Sequence, residues 1–186
     1  MTPRYTRALL LAAEAHEGQV RKGTDIPYIT HPVAVAELVA RHGGDEDQQL
    51  GALLHDVLED AGAHWAPRIE ALGGTVLEIV RGCTDGMPDT DGQKAPWRQR
   101  KEGYLEHLMA APDRVLLVSN CDKLHNLHSI HIDLLEHGAA VFDRFSADQA
   151  ATLWYYGRLA ETFETRGSIA AGALRAELDS VEAWLR

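Results

Sequence analysis

The segment around His55 combines an imidazole with three carboxylates inside an otherwise apolar stretch. His55 and Glu59 are four residues apart, and so are Asp56 and Asp60. On an α-helix each pair shares a face, so one edge of the helix would present all four side chains. No lysine or arginine occurs in residues 42–67 to neutralise them. Because imidazole nitrogens and carboxylate oxygens are ligands for divalent ions such as Mn²⁺, Fe²⁺ and Zn²⁺, the cluster predicts a metal site.

Two further side chains are suited to complete this site. His31 precedes a proline at a predicted helix start, where its side chain can point across a cleft. Asp122 interrupts an apolar run, which is an unusual position for a carboxylate without a partner. Together with His55 and Asp56 they would form a site of two histidines and two aspartates that leaves room for water. Taken singly, His31 and Asp122 are each more typical of a structural role, so the hypothesis depends on the joint pattern.

Glu59 and Asp60 would then lie just beside the metal ligands. This is the place where a general acid or base for a metal-bound water is needed. Asn126 follows Asp122 by four residues and would share its helical face. The residues therefore predict activation of a metal-bound water, although a binding site without turnover stays open.

Helical spacing dominates the elements that would position these residues. We predict an all-α fold, a helical bundle of about eight or nine helices, at residues 4–16, 32–42, 45–60, 65–72, 75–82, 97–111, 112–136, 146–167 and 168–185. Capping-box patterns begin three of them, at Asp45, Thr75 and Ser146. Residues 84–96 show no apolar period, so we expect a long, mobile loop of the kind that is often functional.

The composition restricts the class of protein. The chain has 186 residues, 45% of them hydrophobic, and a formal net charge of −10. These values predict a single domain over residues 1–186 and argue against a broad nucleic-acid surface. No apolar run approaches the length of a membrane span, and two cysteines make no disulfide framework. Because the first residues show no apolar region with a cleavage site, we expect no signal peptide. We expect a cytoplasmic protein; the oligomeric state is left open.

Six segments in a fixed order resemble one family. They are residues 15–22 (AHEGQVRK), 27–32 (PYITHP), 52–60 (ALLHDVLED), 80–85 (VRGCTD), 100–101 (RK) and 122–126 (DKLHN). The chain is similar to HD-domain phosphohydrolases, and within them to the small RelA/SpoT-type hydrolases of the alarmone (p)ppGpp. The resemblance covers residues 5–160, which is most of the chain.

The resemblance implies an HD-domain helical bundle and hydrolytic removal of the 3′-pyrophosphate from ppGpp or pppGpp. It implies one Mn²⁺, with other divalent metals possible, and it assigns water activation to Glu59 and Asp60. The metal ligands would be His31, His55, Asp56 and Asp122. The nucleotide, a small-molecule partner, would contact Arg21, Lys22, Arg100, Lys101, Asn126 and Tyr155.

Two positions depart from the family pattern. Ser119 stands where the family usually has a lysine, and His128 stands where an arginine often follows the asparagine. The loss of two cations weakens the assignment of a 3′-diphosphate substrate more than it weakens the metal site. A phosphatase for another nucleotide, such as NADPH or a nucleoside monophosphate, therefore remains an alternative. A nucleotide-sensing regulator without turnover is the third.

Overall fold

Helices provide nearly all the regular structure of this protein in a computed structural model, which describes residues 1–84 and 95–186. The α-helices of these residues are α1 (Pro3–Ala15), α2 (Thr30–Arg41), α3 (Glu46–Leu54), α4 (Val57–Asp60), α5 (Ala66–Glu70), α6 (Gly74–Cys83), α7 (Trp97–Ala110), α8 (Asp113–His137), α9 (Gln149–Thr165) and α10 (Ala171–Trp184). Short 3-10 helices occupy Ala63–Trp65 and Gly138–Arg144. The prediction of an all-α class is confirmed. Residues 85–94 of the expected loop lie outside the described residues.

Helix α8 is the centre of the bundle. It packs against α2, α3, α6, α9 and α10, and α3 also packs against α1, α2 and α6. Every residue from Val115 to Asp122 is buried in the middle of the molecule. Asp122 is therefore held on a rigid helix at the junction with α2 and α3, which carry the two predicted histidine ligands.

The predicted helix over residues 45–60 is wrong in one respect, because it is interrupted at His55 and Asp56. The Nδ1 atom of His55 lies 2.8 Å from the carbonyl oxygen of Ala52. A continuous helix offers that carbonyl to the amide four residues later, so the imidazole competes with the helix for its acceptor. The chain turns helical again in α4, where the amide of Asp60 bonds the carbonyl of Asp56. The His55–Glu59 and Asp56–Asp60 pairs thus do not lie on one regular helix.

The helix caps were predicted correctly at one of three positions. Asp45 and Gln48 form the capping box at the start of α3. Helix α6 instead begins after Gly73, whose φ of 144° only glycine adopts readily, and α9 begins after Asp148, whose side chain accepts the amide of Ala151. The last helix begins at Ala171 rather than at residue 168.

Residues 16–29 join α1 to α2 as a short ribbon, which carries Arg21 and Lys22. Val20 and Pro27 form an isolated antiparallel bridge, and the amide of Tyr28 bonds the carbonyl of Gln19 over 2.9 Å. Within the described residues no helix has the length and apolarity needed to cross a membrane.

Candidate active site

Four side-chain atoms from three parts of the fold converge on one point. They are Nε2 of His31, Nε2 of His55, Oδ2 of Asp56 and Oδ1 of Asp122. His31 Nε2 lies 3.5 Å from the Asp56 oxygen and 3.1 Å from the Asp122 oxygen. His55 Nε2 lies 2.9 Å and 3.5 Å from the same two oxygens. The sequence-predicted ligand set is thus brought together, and we call these four residues the cradle.

The contacts within the cradle are not hydrogen bonds. The Nε2 atoms of His31 and His55 are buried, and neither has a hydrogen-bond partner among the described residues, although both lie close to carboxylate oxygens. Each of these nitrogens lies within 3.5 Å of an oxygen of Asp56 and an oxygen of Asp122. Such buried, unsatisfied nitrogens are costly, and a cation at the centre would satisfy them together with both carboxylates. The donor set therefore fits a divalent metal ion, and three of the four residues form a cluster that could hold one.

The tautomer of His55 is fixed by its other ring nitrogen. A carbonyl oxygen only accepts, so Nδ1 must carry the proton that is donated to Ala52. This leaves the lone pair of Nε2 directed into the cradle whenever the ring is neutral. Burial disfavours the imidazolium form, yet the carboxylates of Asp56 and Asp122 outweigh it and raise the pKa of His55 well above its usual value. The same field favours any cation between them.

Both carboxylates of the cradle remain ionised despite their surroundings. Burial raises the pKa of Asp56, but the charge of His55 and the nearby ring nitrogens of His31 and His55 bring it well below its usual value. Burial likewise opposes ionisation of Asp122, and Lys123 and His55 lower its pKa well below the usual range. The Nζ atom of Lys123 lies 2.7 Å from Oδ2 of Asp122, so Oδ1 is left for the cradle.

Two further side chains contact the cradle from outside. The hydroxyl of Tyr28 donates to Oδ2 of Asp56 over 2.7 Å. His125, which stands in the matching segment 122–126, places its Nδ1 atom 2.8 Å from Nδ1 of His31. Burial and the charges of His31 and Arg21 lower the pKa of His125 to about 4, so its ring is neutral and can accept this bond. Tyr28 has no sequence signal beyond its place in a matching segment, because its contact depends on how the ribbon folds.

The predicted water-activating pair lies one turn beyond Asp56. Glu59 is half-buried in α4, and Asp60 is exposed at its end. The charge of Asp60 is close enough to Tyr28 to contribute to the raised pKa of the phenol, after burial and Asp56. Asp60 is therefore near the cradle, and Glu59 precedes it in α4; their role as proton acceptors stays a prediction.

The predicted nucleotide contacts divide between three cavities. One of about 190 Å³, which we call the lysine pocket, is lined by Lys22, Lys101, Lys123, Tyr155, Tyr156, Trp97 and Phe145 among others. A second of about 210 Å³, the Ile26 pocket, is lined by Arg21, Lys22, Thr24, Ile26, His125, Ser129 and Ile132 among others. Arg100 lines neither; it faces a third cavity with Arg81 and Tyr104. Asn126 contacts Asp122 directly.

Ser119 and His128, which depart from the family pattern, each contact another side chain of the protein. Ser119 is fully buried, and its hydroxyl lies 2.6 Å from that of Tyr104. His128 and His131 both place Nδ1 within 3.0 Å of one oxygen of Glu177 on α10. Both histidines thus contact Glu177; His128 is exposed, and His131 is half-exposed. The cations of the lysine pocket are Lys22, Lys101 and Lys123.

Known proteins share both this fold and this sequence pattern. Residues 8–149 match the family model of the HD domain. The chain belongs to the HD-domain family. Over 133 residues this HD domain is 37% identical to the bifunctional (p)ppGpp synthase/hydrolase SpoT of Escherichia coli K12, a match that covers 68% of this chain and 18% of that protein.

Relatives of similar size are also found. A guanosine-3′,5′-bis(diphosphate) 3′-pyrophosphohydrolase of Danio rerio is 33% identical over 123 residues, which are 64% of this chain and 65% of that protein. A solved structure of a metazoan SpoT orthologue, described as hydrolysing ppGpp, has a TM-score of 0.62 to this HD domain. That match has 26% identity and covers 90% of this chain and 97% of the other.

Proposed function

We propose that this HD domain is a metal-dependent phosphohydrolase that converts ppGpp or pppGpp to GDP or GTP and pyrophosphate. The observation that carries the proposal is the cradle, in which two buried Nε2 atoms without hydrogen bonds face two ionised carboxylates. The relatives named for ppGpp hydrolysis support the substrate. Mn²⁺ is the metal that we propose for His31, His55, Asp56 and Asp122.

A bound divalent ion would supply an acidified water and a Lewis acid for the phosphoryl oxygens. Glu59 or Asp60 would accept the proton of the attacking water as its oxygen bonds to phosphorus and the bond to the ribose 3′ oxygen breaks. Lys22 and Lys101 would neutralise charge on the phosphoryl oxygens in the transition state. Arg21, Asn126 and Tyr155 would complete the nucleotide contacts, and a contact of Arg100 with the nucleotide stays a prediction.

One observation supports a different nucleotide as the second candidate. Ser119 bonds Tyr104 and His128 bonds Glu177, so neither position supplies the cation that the family usually has there. A pocket with fewer cations suits a substrate with less phosphate charge, such as NADPH or a nucleoside monophosphate.

A substrate panel separates these functions. The protein, loaded with Mn²⁺, is incubated separately with ppGpp, pppGpp, NADPH and nucleoside monophosphates, and the products are resolved by anion-exchange chromatography. We expect GDP and pyrophosphate from ppGpp in equal amounts. Orthophosphate from NADPH or a monophosphate, with ppGpp intact, would establish the second candidate instead. Binding of ppGpp without any product would identify a regulator without turnover.

A further inference from the structure

Arg21 stands where two short paths meet, each of which ends on a carboxylate of the cradle. In the first, Nη2 of Arg21 donates to Oδ1 of Asn126 over 2.7 Å, and Nδ2 of Asn126 donates to Oδ1 of Asp122 over 2.6 Å. In the second, the guanidinium of Arg21 lies 5.7 Å from the ring centre of Tyr28, whose hydroxyl donates to Oδ2 of Asp56. The oxygens that receive these bonds are the ones that face the cradle.

We propose that Arg21 is a positioning residue for the metal site, in addition to any contact with the nucleotide. The inference rests on the proposed metal binding by the cradle. An asparagine amide can rotate by 180° and exchange its oxygen and nitrogen. A rotated Asn126 would turn its carbonyl oxygen toward the carboxylate of Asp122, and the bond from Arg21 selects the orientation that donates instead. Arg21 thereby fixes Asp122 through Asn126, and it holds the Tyr28 ring in the place that fixes Asp56.

The direction in which metal affinity changes when Arg21 is neutralised distinguishes a positioning role from a purely electrostatic one. Arg21 carries a positive charge close to a site for a cation, so its charge alone opposes metal binding. Neutralising Arg21 would therefore strengthen metal binding if the side chain acted only through its charge. If Arg21 acts by positioning, the same substitution weakens metal binding, because both carboxylates lose their support.

Lys22 provides a matched control for the charge. It is the next residue of the same ribbon and carries the same charge, but its ammonium group lies 5.9 Å from the ring centre of Phe145. It belongs to the proposed nucleotide contacts and not to the paths that end on the cradle. Its neutralisation measures the electrostatic effect of one lost charge at this edge of the site.

The test is calorimetric titration of the metal-free full chain with MnCl₂, without nucleotide. We expect Arg21→Gln to weaken Mn²⁺ binding about tenfold, the low end for loss of an outer partner of a ligand. Lys22→Gln should leave the affinity unchanged or increase it. Arg21→Lys keeps the charge and one donor, and should bind Mn²⁺ more tightly than Arg21→Gln. A double Arg21→Gln/Asn126→Ala variant should lose less affinity than the sum of the two single losses, because Asn126→Ala already removes one of the two paths and leaves only the one through Tyr28.

Two results would overturn the inference. One is an Arg21→Gln variant that binds Mn²⁺ as tightly as Lys22→Gln. The other is a full additive loss in the double variant, since this would mean that Arg21 does not act through Asn126. Thermal melts of the metal-free variants show whether the fold is retained. If Arg21→Gln melts well below the wild type, the Mn²⁺ affinity of Arg21→Lys is compared with that of the wild type instead. Absence of Mn²⁺ binding in the wild type would refute the proposed metal site itself.

Discussion

The imidazole of His125 stands directly behind that of His31, with the two Nδ1 atoms 2.8 Å apart. Only one of them can carry the shared proton. Since the low pKa of His125, about 4, keeps its ring neutral, its Nδ1 can accept a hydrogen bond from Nδ1–H of His31. That arrangement would leave the lone pair of His31 Nε2 in the cradle. With His31 as the donor, His125 supports the tautomer of His31 that can bind a metal, as the Ala52 carbonyl does for His55.

Replacing His125 with leucine should therefore impair metal binding. The ring of His31 would lose the acceptor that fixes its tautomer and orientation, and we expect Mn²⁺ affinity to fall by about 10- to 100-fold. His128→Leu is the matched control, because it removes a histidine one turn later that bonds Glu177 instead. Calorimetric titration measures both variants. Equal affinities for the two would contradict the role of His125.

Tyr28→Phe tests the contact that supports Asp56. The substitution removes only the hydroxyl, and the ring keeps its packing against His16, at 4.8 Å between ring centres, and His31, at 5.8 Å. We expect a melting temperature close to wild type and a loss of about tenfold in Mn²⁺ affinity. Unchanged Mn²⁺ affinity would show that the phenol does not position Asp56 for the metal.

Gly23 and Gly18 allow a paired test of the ribbon that carries Arg21. Both adopt a left-handed conformation, with φ of 75° and 74°, so alanine at either costs about 1 kcal/mol in backbone strain. A Cβ atom at Gly18 meets nothing within 4 Å, whereas one at Gly23 would lie 2.6 Å from Cδ of Arg144.

Gly23→Ala should consequently have a larger effect than Gly18→Ala. Either Arg144, which pairs with Asp133 over 2.9 Å, or the ribbon with Arg21 and Lys22 has to shift to relieve this contact, and we expect the ribbon to shift. We expect a higher KM for ppGpp in Gly23→Ala, with KM close to wild type in Gly18→Ala. Denaturant unfolding measures the two losses of stability. The same KM in both variants would show that Arg144 does not hold the ribbon in place.

Glu59→Ala separates metal binding from turnover. Glu59 lies outside the cradle, one turn beyond Asp56, so its removal should leave Mn²⁺ affinity within about twofold while kcat falls by at least about 100-fold, the scale of general base catalysis. Stopped-flow or chromatographic assays of pyrophosphate release provide kcat. A variant with wild-type kcat would exclude Glu59 as the proton acceptor and leave that role to Asp60.

Helix starts were predictable where residues close in sequence determine them. Prolines just before α7 and α8 place the starts of both helices, and the side chain of Asp45 caps α3 because its partner lies three residues away. The patterns at Thr75 and Ser146 failed because nearby residues took the cap position. A capping-box pattern shows that a cap is possible there, and tertiary packing decides which residue becomes the cap.

The cradle was predictable as a set of residue types, but its supports were not. His31, His55, Asp56 and Asp122 are recognisable because polar residues at buried positions require a reason. The break at His55 depends on a side-chain bond to a backbone carbonyl, which no periodicity reveals. The roles of Tyr28 and His125 depend on contacts across 28 and 94 residues, which only the folded chain brings together. Arg100 was placed by the resemblance and faces a different cavity.

Hydrolysis of ppGpp should depend on one metal ion in the cradle, and a single titration tests this dependence. Metal-free protein receives increasing Mn²⁺, and bound metal and pyrophosphate release from ppGpp are measured on the same samples. We expect turnover to rise in proportion to bound metal and to saturate at one ion per chain, with neither signal in Asp56→Ala. Full turnover of ppGpp by the metal-free protein or by Asp56→Ala would show that hydrolysis does not depend on a metal ion in the cradle.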